Sequence, residues 1–132
     1  MSNYSIIFPG QGSQSVGMMD TYANNIIVKD TFAEASQILK KDFWDMVTQD
    51  NTDIHLTQNT QPIMLIAGVC IWRILKNSGI DKPKFLGGHS LGEFSALVAA
   101  EVLNFEDALV IVAKRAQLMQ AAVPEGVGAM AA

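Results

Sequence analysis

The residues in this sequence best suited to chemistry lie in Gly88-His89-Ser90-Leu91-Gly92. A serine hydroxyl acts as a nucleophile only when it stands clear of the backbone, beside a base and an oxyanion site. The Gly-x-Ser-x-Gly spacing meets the first need. Glycines two residues either side of Ser90 carry no Cβ, so an incoming strand and an outgoing helix can pass close together. The serine then sits on the sharp turn between them, the context of a nucleophile elbow. The first N–H groups of the helix lack intrahelical partners, so the Leu91 N–H is a candidate oxyanion donor.

Two further positions matter. Gln11 lies in Gly10-Gln11-Gly12, where flanking glycines let a backbone N–H approach a ligand. It reads either as the second oxyanion donor or as part of an ordinary strand-to-helix loop. Arg115 falls on the apolar side of its helix, between the directions of Ala108 and Ala122 and close to Ile111, Val112, Leu118 and Met119. An arginine there must meet a carboxylate. That carboxylate is either internal, with Glu93 the nearest choice, or part of a bound substrate held bidentately. His89 adjoins Ser90 and should point away from its hydroxyl, and His55 lies in a polar stretch. Neither is well placed as a general base. Two histidines and one cysteine provide no metal-ligand cluster, and Gly10-Gln11-Gly12 matches neither phosphate-loop pattern.

The elements that position these residues alternate. Tyr4 to Phe8 reads as a first strand, closed by Pro9-Gly10. Ser15 to Tyr22 suits a short helix, Ile27 to Leu39 an amphipathic helix, and Phe43 to Val47 a shorter helical piece. Gln49 to Asn59 reads as a polar surface loop. Thr60 reads as the N-cap of a helix with Pro62 in its first turn, apolar on nearly all sides as far as Leu75. Lys84-Phe85-Leu86 is a second strand, followed by the Ser90 turn and a helix over Phe94 to Ala100. Asn104 caps a helix from Phe105 to Ala122, with Asp107 three residues on. Pro124-Glu125-Gly126 breaks it, and the apolar run through Ala132 suits a further strand. Strands alternating with helices predict an α/β fold, a parallel sheet with flanking helices. In such a sheet the loops after each strand share one edge, so Gln11 and Ser90 can meet.

The composition bounds the reading. A chain of 132 residues with 49 % hydrophobic and 17 % charged residues is one globular domain in size and content. A net charge of −4 argues against nucleic acid. No apolar run is long enough to suggest a membrane span, no secretory leader pattern opens the chain, and the lone Cys70 sits in an apolar run as a packed thiol. The cytoplasm is the expected location.

Several motifs together carry a family resemblance. Phe8-Pro9-Gly10-Gln11-Gly12-Ser13-Gln14, Thr60-Gln61-Pro62, Gly88-His89-Ser90-Leu91-Gly92-Glu93, Lys114-Arg115-Ala116-Gln117-Leu118-Met119-Gln120 and the run from Pro124 to Ala132 resemble, in order, segments of malonyl-CoA:acyl-carrier-protein transacylases. The resemblance implies transfer of malonyl from malonyl-CoA to the phosphopantetheine thiol of acyl carrier protein, for fatty acid synthesis, with malonyl-CoA as substrate and no cofactor. It assigns Ser90 as nucleophile, the Gln11 and Leu91 N–H groups as oxyanion hole, and Arg115 as the clamp on the malonyl carboxylate. It further implies that residues 1–124 are the N-terminal part of an α/β-hydrolase-like large subdomain. Residues 125–132 then begin an inserted ferredoxin-like small subdomain.

Ala116 departs from the glycine that many relatives carry there. Because family members run to roughly twice this length, the chain reads as an incomplete, inactive fragment that lacks the catalytic histidine and can self-associate, the whole enzyme being a monomer. An acyltransferase domain of a polyketide synthase shares these motifs. A serine esterase fits them less well, since it needs neither Arg115 nor the Phe8-to-Gln14 motif. A non-catalytic piece that binds only CoA or its missing half is the reading from another class. An acidic carrier would need a basic patch, such as Lys40-Lys41 or Lys82-Lys84.

Overall fold

Two short parallel strands bring the functional loops together. β1 (Ser5–Phe8) pairs with β2 (Phe85–Gly88) in the register Ser5 opposite Phe85 and Phe8 opposite Gly88. Between them run α1 (Ile26–Leu39), α2 (Phe43–Thr48) and α3 (Thr57–Asn77); α4 (Gly92–Ala99) and α5 (Phe105–Ala122) follow β2. This computed structural model describes residues 3–129. The α/β class with a small parallel sheet is as expected from the sequence.

Local chemistry starts the helices. The Asn25 side-chain oxygen accepts the Ile27 and Val28 N–H groups at 2.9 and 3.4 Å and opens α1. Asp42 accepts the Asp45 N–H at 2.9 Å to open α2, and Asn104 accepts the Asp107 N–H at 2.7 Å to open α5. The central element is α3, which packs on α1, α4 and α5. Its Ile63, Leu65, Ile66, Val69 and Cys70 are fully buried or nearly so. Burial pushes the Cys70 thiol up to about 12, so it behaves as a packing group and not as a nucleophile. Alternation along β1 sends Ile6 and Phe8 towards Ala96 and Ala99 of α4. On the other face of the sheet Ile7 and Phe85 are 73 % and 64 % exposed.

Three boundaries differ from the sequence reading. Thr60 is not an N-cap. α3 begins at Thr57, and the buried Thr60 hydroxyl donates to the carbonyls of Ile54 and Leu56 at 2.6 and 3.0 Å. The expected surface loop over residues 49–59 instead holds a 3-10 turn, Asp53–His55, whose Ile54 is fully buried, and then the first turn of α3. In residues 15–22 only Asp20–Tyr22 form a 3-10 turn. In the first two cases polar side chains satisfy backbone groups that the local sequence alone leaves unpaired; residues 15–22 are instead held by backbone bonds, among them Gly17 N–H to the Val47 carbonyl at 2.8 Å. The C-terminal strand expected through Ala132 falls partly on residues 130–132, outside the described residues. No helix among the described residues is long and apolar enough to cross a membrane.

Ser95 gives a stability test. It lies where α4 crosses α3, and a Cβ added at Gly68 would stand 3.1 Å from its Oγ. Ser95 is 1 % exposed, and among the described residues its hydroxyl has no hydrogen-bond partner. Ser95→Ala removes that desolvated hydroxyl and keeps the close crossing, so it should stabilise the fold by about 1 kcal/mol. The urea midpoint should rise with an unchanged slope. A clear fall would show that the hydroxyl has an acceptor in solution.

Candidate active site

β2 ends at Gly88 and α4 starts at Gly92, leaving three residues for the turn. Ser90 occupies its apex with φ 54°, in the left-handed region, and is exposed. That conformation costs a residue with a Cβ roughly 1–2 kcal/mol. The turn is held by His89 N–H to Phe8 carbonyl at 3.2 Å, Gly92 N–H to His89 carbonyl at 2.9 Å and Glu93 N–H to Ser90 carbonyl at 3.1 Å. The glycines are sterically required. A Cβ on Gly88 would lie 2.0 Å from the Gly92 carbonyl carbon, and one on Gly92 would lie 2.1 Å from the Phe8 carbonyl oxygen. The spacing read from the sequence is thus set by backbone meeting backbone.

The parallel register puts the loops after β1 and β2 at one edge, and they touch. A Cβ on Gly10 would lie 2.6 Å from the His89 carbonyl oxygen. Gln11 follows directly, its side-chain amide donating to the Thr57 hydroxyl at 3.0 Å. Among the described residues neither the Gln11 nor the Leu91 backbone N–H donates to another group. Leu91 itself is fully buried.

Arg115 reaches the same place from α5. One of its terminal nitrogens (Nη2) donates to Ser90 Oγ at 3.0 Å; the other (Nη1) donates to Gln61 Oε1 at 2.5 Å. Its guanidinium carbon is 5.5 Å from the Phe94 ring centre, a cation–π contact. The internal ion pair with Glu93 does not form. Glu93 is exposed, and among the described residues no carboxylate lies within 4.0 Å of the guanidinium. A neutral amide and a hydroxyl hold a half-buried cation, whose charge remains unmatched.

Gln61 is the residue the sequence reading missed. It is fully buried at the start of α3, and its amide nitrogen donates to Met119 Sδ at 3.2 Å. That contact leaves its oxygen facing Arg115. The available signal was a glutamine within the otherwise apolar face of a buried helix. The histidines lie elsewhere: His55 Nδ1 is 3.2 Å from Gln14 Nε2, and neither His55 nor His89 bonds Ser90 Oγ. A cavity of about 630 Å³ adjoins the site, with Gln11, His55, Thr57 and Met119 in its wall.

Residues 5–132, which hold this strand–turn–helix serine and its arginine, match the acyl transferase domain family. The chain belongs to that family. More closely, it is 48 % identical over 134 aligned residues to the malonyl CoA-acyl carrier protein transacylase of Salmonella typhimurium, with 100 % of this chain and 43 % of that protein covered. Its fold superposes on an acyl carrier protein S-malonyltransferase of Vibrio cholerae with TM-score 0.89 and 50 % identity, covering 95 % of this chain and 42 % of the other. It superposes on a malonyl-transacylase in complex with a type II PKS acyl-carrier protein with TM-score 0.90 and 46 % identity, covering 95 % and 41 %. The chain therefore spans less than half the length of these relatives.

Proposed function

We propose that this chain supplies the nucleophile and the carboxylate clamp of an [acyl-carrier-protein] S-malonyltransferase. The observation that carries the reading is the Arg115–Ser90 contact, a guanidinium without a carboxylate partner on the hydroxyl of a strand–turn–helix serine. In this reading the turn is an α/β-hydrolase-like nucleophile elbow. Ser90 Oγ attacks the thioester carbonyl of malonyl-CoA while a base takes its proton. The C=O electron pair moves to oxygen, where the Gln11 and Leu91 N–H groups receive it. Collapse expels the CoA thiolate and leaves a malonyl ester on Ser90. The phosphopantetheine thiol of acyl carrier protein then attacks that ester, and Ser90 leaves. Arg115 exchanges Ser90 for the malonyl carboxylate, which selects the substrate and uncovers the nucleophile. The pantetheine arm would approach through the cavity beside Gln11 and Met119. Neither His55 nor His89 bonds Ser90 Oγ, and in this reading the base is the histidine that the family resemblance places outside this chain.

The test uses a protein of the length of the relatives, incubated with malonyl-CoA and digested. The peptide holding Ser90 should carry one malonyl group, which holo acyl carrier protein should then remove. An unmodified Ser90 peptide from an enzyme that still transfers malonyl would overturn the reading.

Gln61→Glu probes the clamp separately. The near-isosteric change puts a carboxylate against Arg115 and satisfies its charge internally. The preference for malonyl-CoA over acetyl-CoA should fall by about tenfold or more, about 1.4 kcal/mol, mainly through KM for malonyl-CoA. An unchanged ratio of specificity constants would show that the charge of Arg115 does not select the acyl group.

A further inference from the structure

A groove lies on the far side of α3. There the Lys41 ammonium donates to Asn59 Oδ1 at 2.8 Å. Asn59 and Gln61 are two positions apart on one helix, about 200° around its axis. This contact therefore faces away from Arg115 and Ser90. It marks one end of a groove of about 540 Å³ between α1 and the start of α2, a volume in the range of small-molecule sites. Lys40 stands beside Lys41, and Lys29 stands at the other end, eleven helical residues or about 16 Å away. Between them lie the buried ring of Phe32 and the half-buried indole of Trp44, edge to face with centroids 5.1 Å apart.

The charges in this groove are unbalanced. Among the described residues none of its three lysines has a carboxylate within 4.0 Å. Its one carboxylate, Asp42, accepts the Asp45 N–H at 2.9 Å as a helix cap and keeps its charge, so the lining carries a net charge of about +2. Three cations thus line one groove in a chain of net charge −4. The adjacent Lys40 and Lys41 repel one another until an anion enters, while Lys29 is too distant to add to that repulsion. One turn before Lys40, the Ser36 hydroxyl accepts the Phe43 N–H at 3.2 Å and keeps its own proton for a further acceptor. Two lysines and a hydroxyl at one end, with an indole beside them, match a flat ring that carries phosphate on one side.

We propose that this groove binds a phosphorylated aromatic ligand of nucleotide size. The phosphates meet Lys40, Lys41 and Ser36 at one end, and the ring lies on Trp44 towards Lys29. The site is separate from Ser90 and does not depend on the acyl-transfer reading. Adenosine 3′,5′-bisphosphate is the probe. In a Trp72→Phe chain, Trp44 is the sole tryptophan, so its fluorescence reports the groove alone. The bisphosphate should quench it saturably and bind at least about tenfold more tightly than adenosine or inorganic phosphate. Lys40→Gln with Lys41→Gln should weaken binding by a further factor of about ten. Calorimetry on the unsubstituted chain covers the case in which Trp72→Phe disturbs the fold. Absence of saturable binding, equal affinity in the double variant, or phosphate binding as tightly as the bisphosphate would each overturn the proposal.

Discussion

Ser90→Ala should abolish the acyl-enzyme and leave the fold standing. The turn is held by backbone hydrogen bonds from Gly92, Glu93 and His89, none of which uses the serine hydroxyl. Alanine has the same Cβ in the same left-handed conformation, so the backbone strain at φ 54° is nearly unchanged. The side chain loses one partner, Arg115 Nη2, which is half-exposed and can turn to water. The melting temperature should shift by no more than a few degrees, as expected for a change of about 1 kcal/mol or less. The chemistry has no such margin. Removing the nucleophile of a serine enzyme costs on the order of 10⁶ in kcat, with the oxyanion hole and binding leaving a small residue over water. Malonyl transfer should therefore drop by at least ~10⁴, and no ester should appear on the peptide containing residue 90. A stable acyl-enzyme in the alanine variant would place the nucleophile elsewhere.

The Ser90 turn was legible because its requirements are local. Two close backbone approaches, at Gly88 and Gly92, dictate glycine at fixed offsets from Ser90, and the apolar runs on either side name the strand and the helix. The meeting of the loop after β1, through Gly10, with the Ser90 loop was legible for a different reason: alternating strands and helices imply a parallel sheet, and a parallel sheet puts both loops at one edge. The start of α3 was not legible. Thr60, Asn59 and Asn51 look like surface and cap residues, yet each is used to satisfy a carbonyl of the chain before α3. Only the folded path of residues 49–59 reveals those acceptors. Likewise a carboxylate was expected opposite Arg115. The group that holds it is the neutral Gln61, 54 residues earlier, and no charge pattern along α5 points to it.

That neutrality gives Arg115→Ala its sharpest consequence. Were Arg115 paired with Glu93, its loss would be a structural defect felt equally by every substrate. Instead its guanidinium has two neutral partners and an unmatched charge, so its full electrostatic effect is realised only when a carboxylate arrives. Losing one side of a hydrogen-bonded, desolvated charge pair costs about 2–5 kcal/mol, or roughly 30-fold to several thousand-fold. The specificity constant for malonyl-CoA should fall by that factor. Acetyl-CoA has no carboxylate to lose, and Ser90 is freed from the Nη2 hydrogen bond, so its specificity constant should hold or rise. The substitution also leaves the buried Gln61 oxygen without its partner, a stability cost of about 1–3 kcal/mol. Both thioesters should therefore be compared at a temperature where the variant is fully folded. Arg115→Lys separates charge from geometry: an ammonium keeps the charge but cannot bridge Gln61 and a carboxylate in one plane, so it should recover only part of the malonyl preference. An equal fall for both thioesters in Arg115→Ala would make the arginine a support for the Ser90 turn, with selection of the carboxylate lying elsewhere.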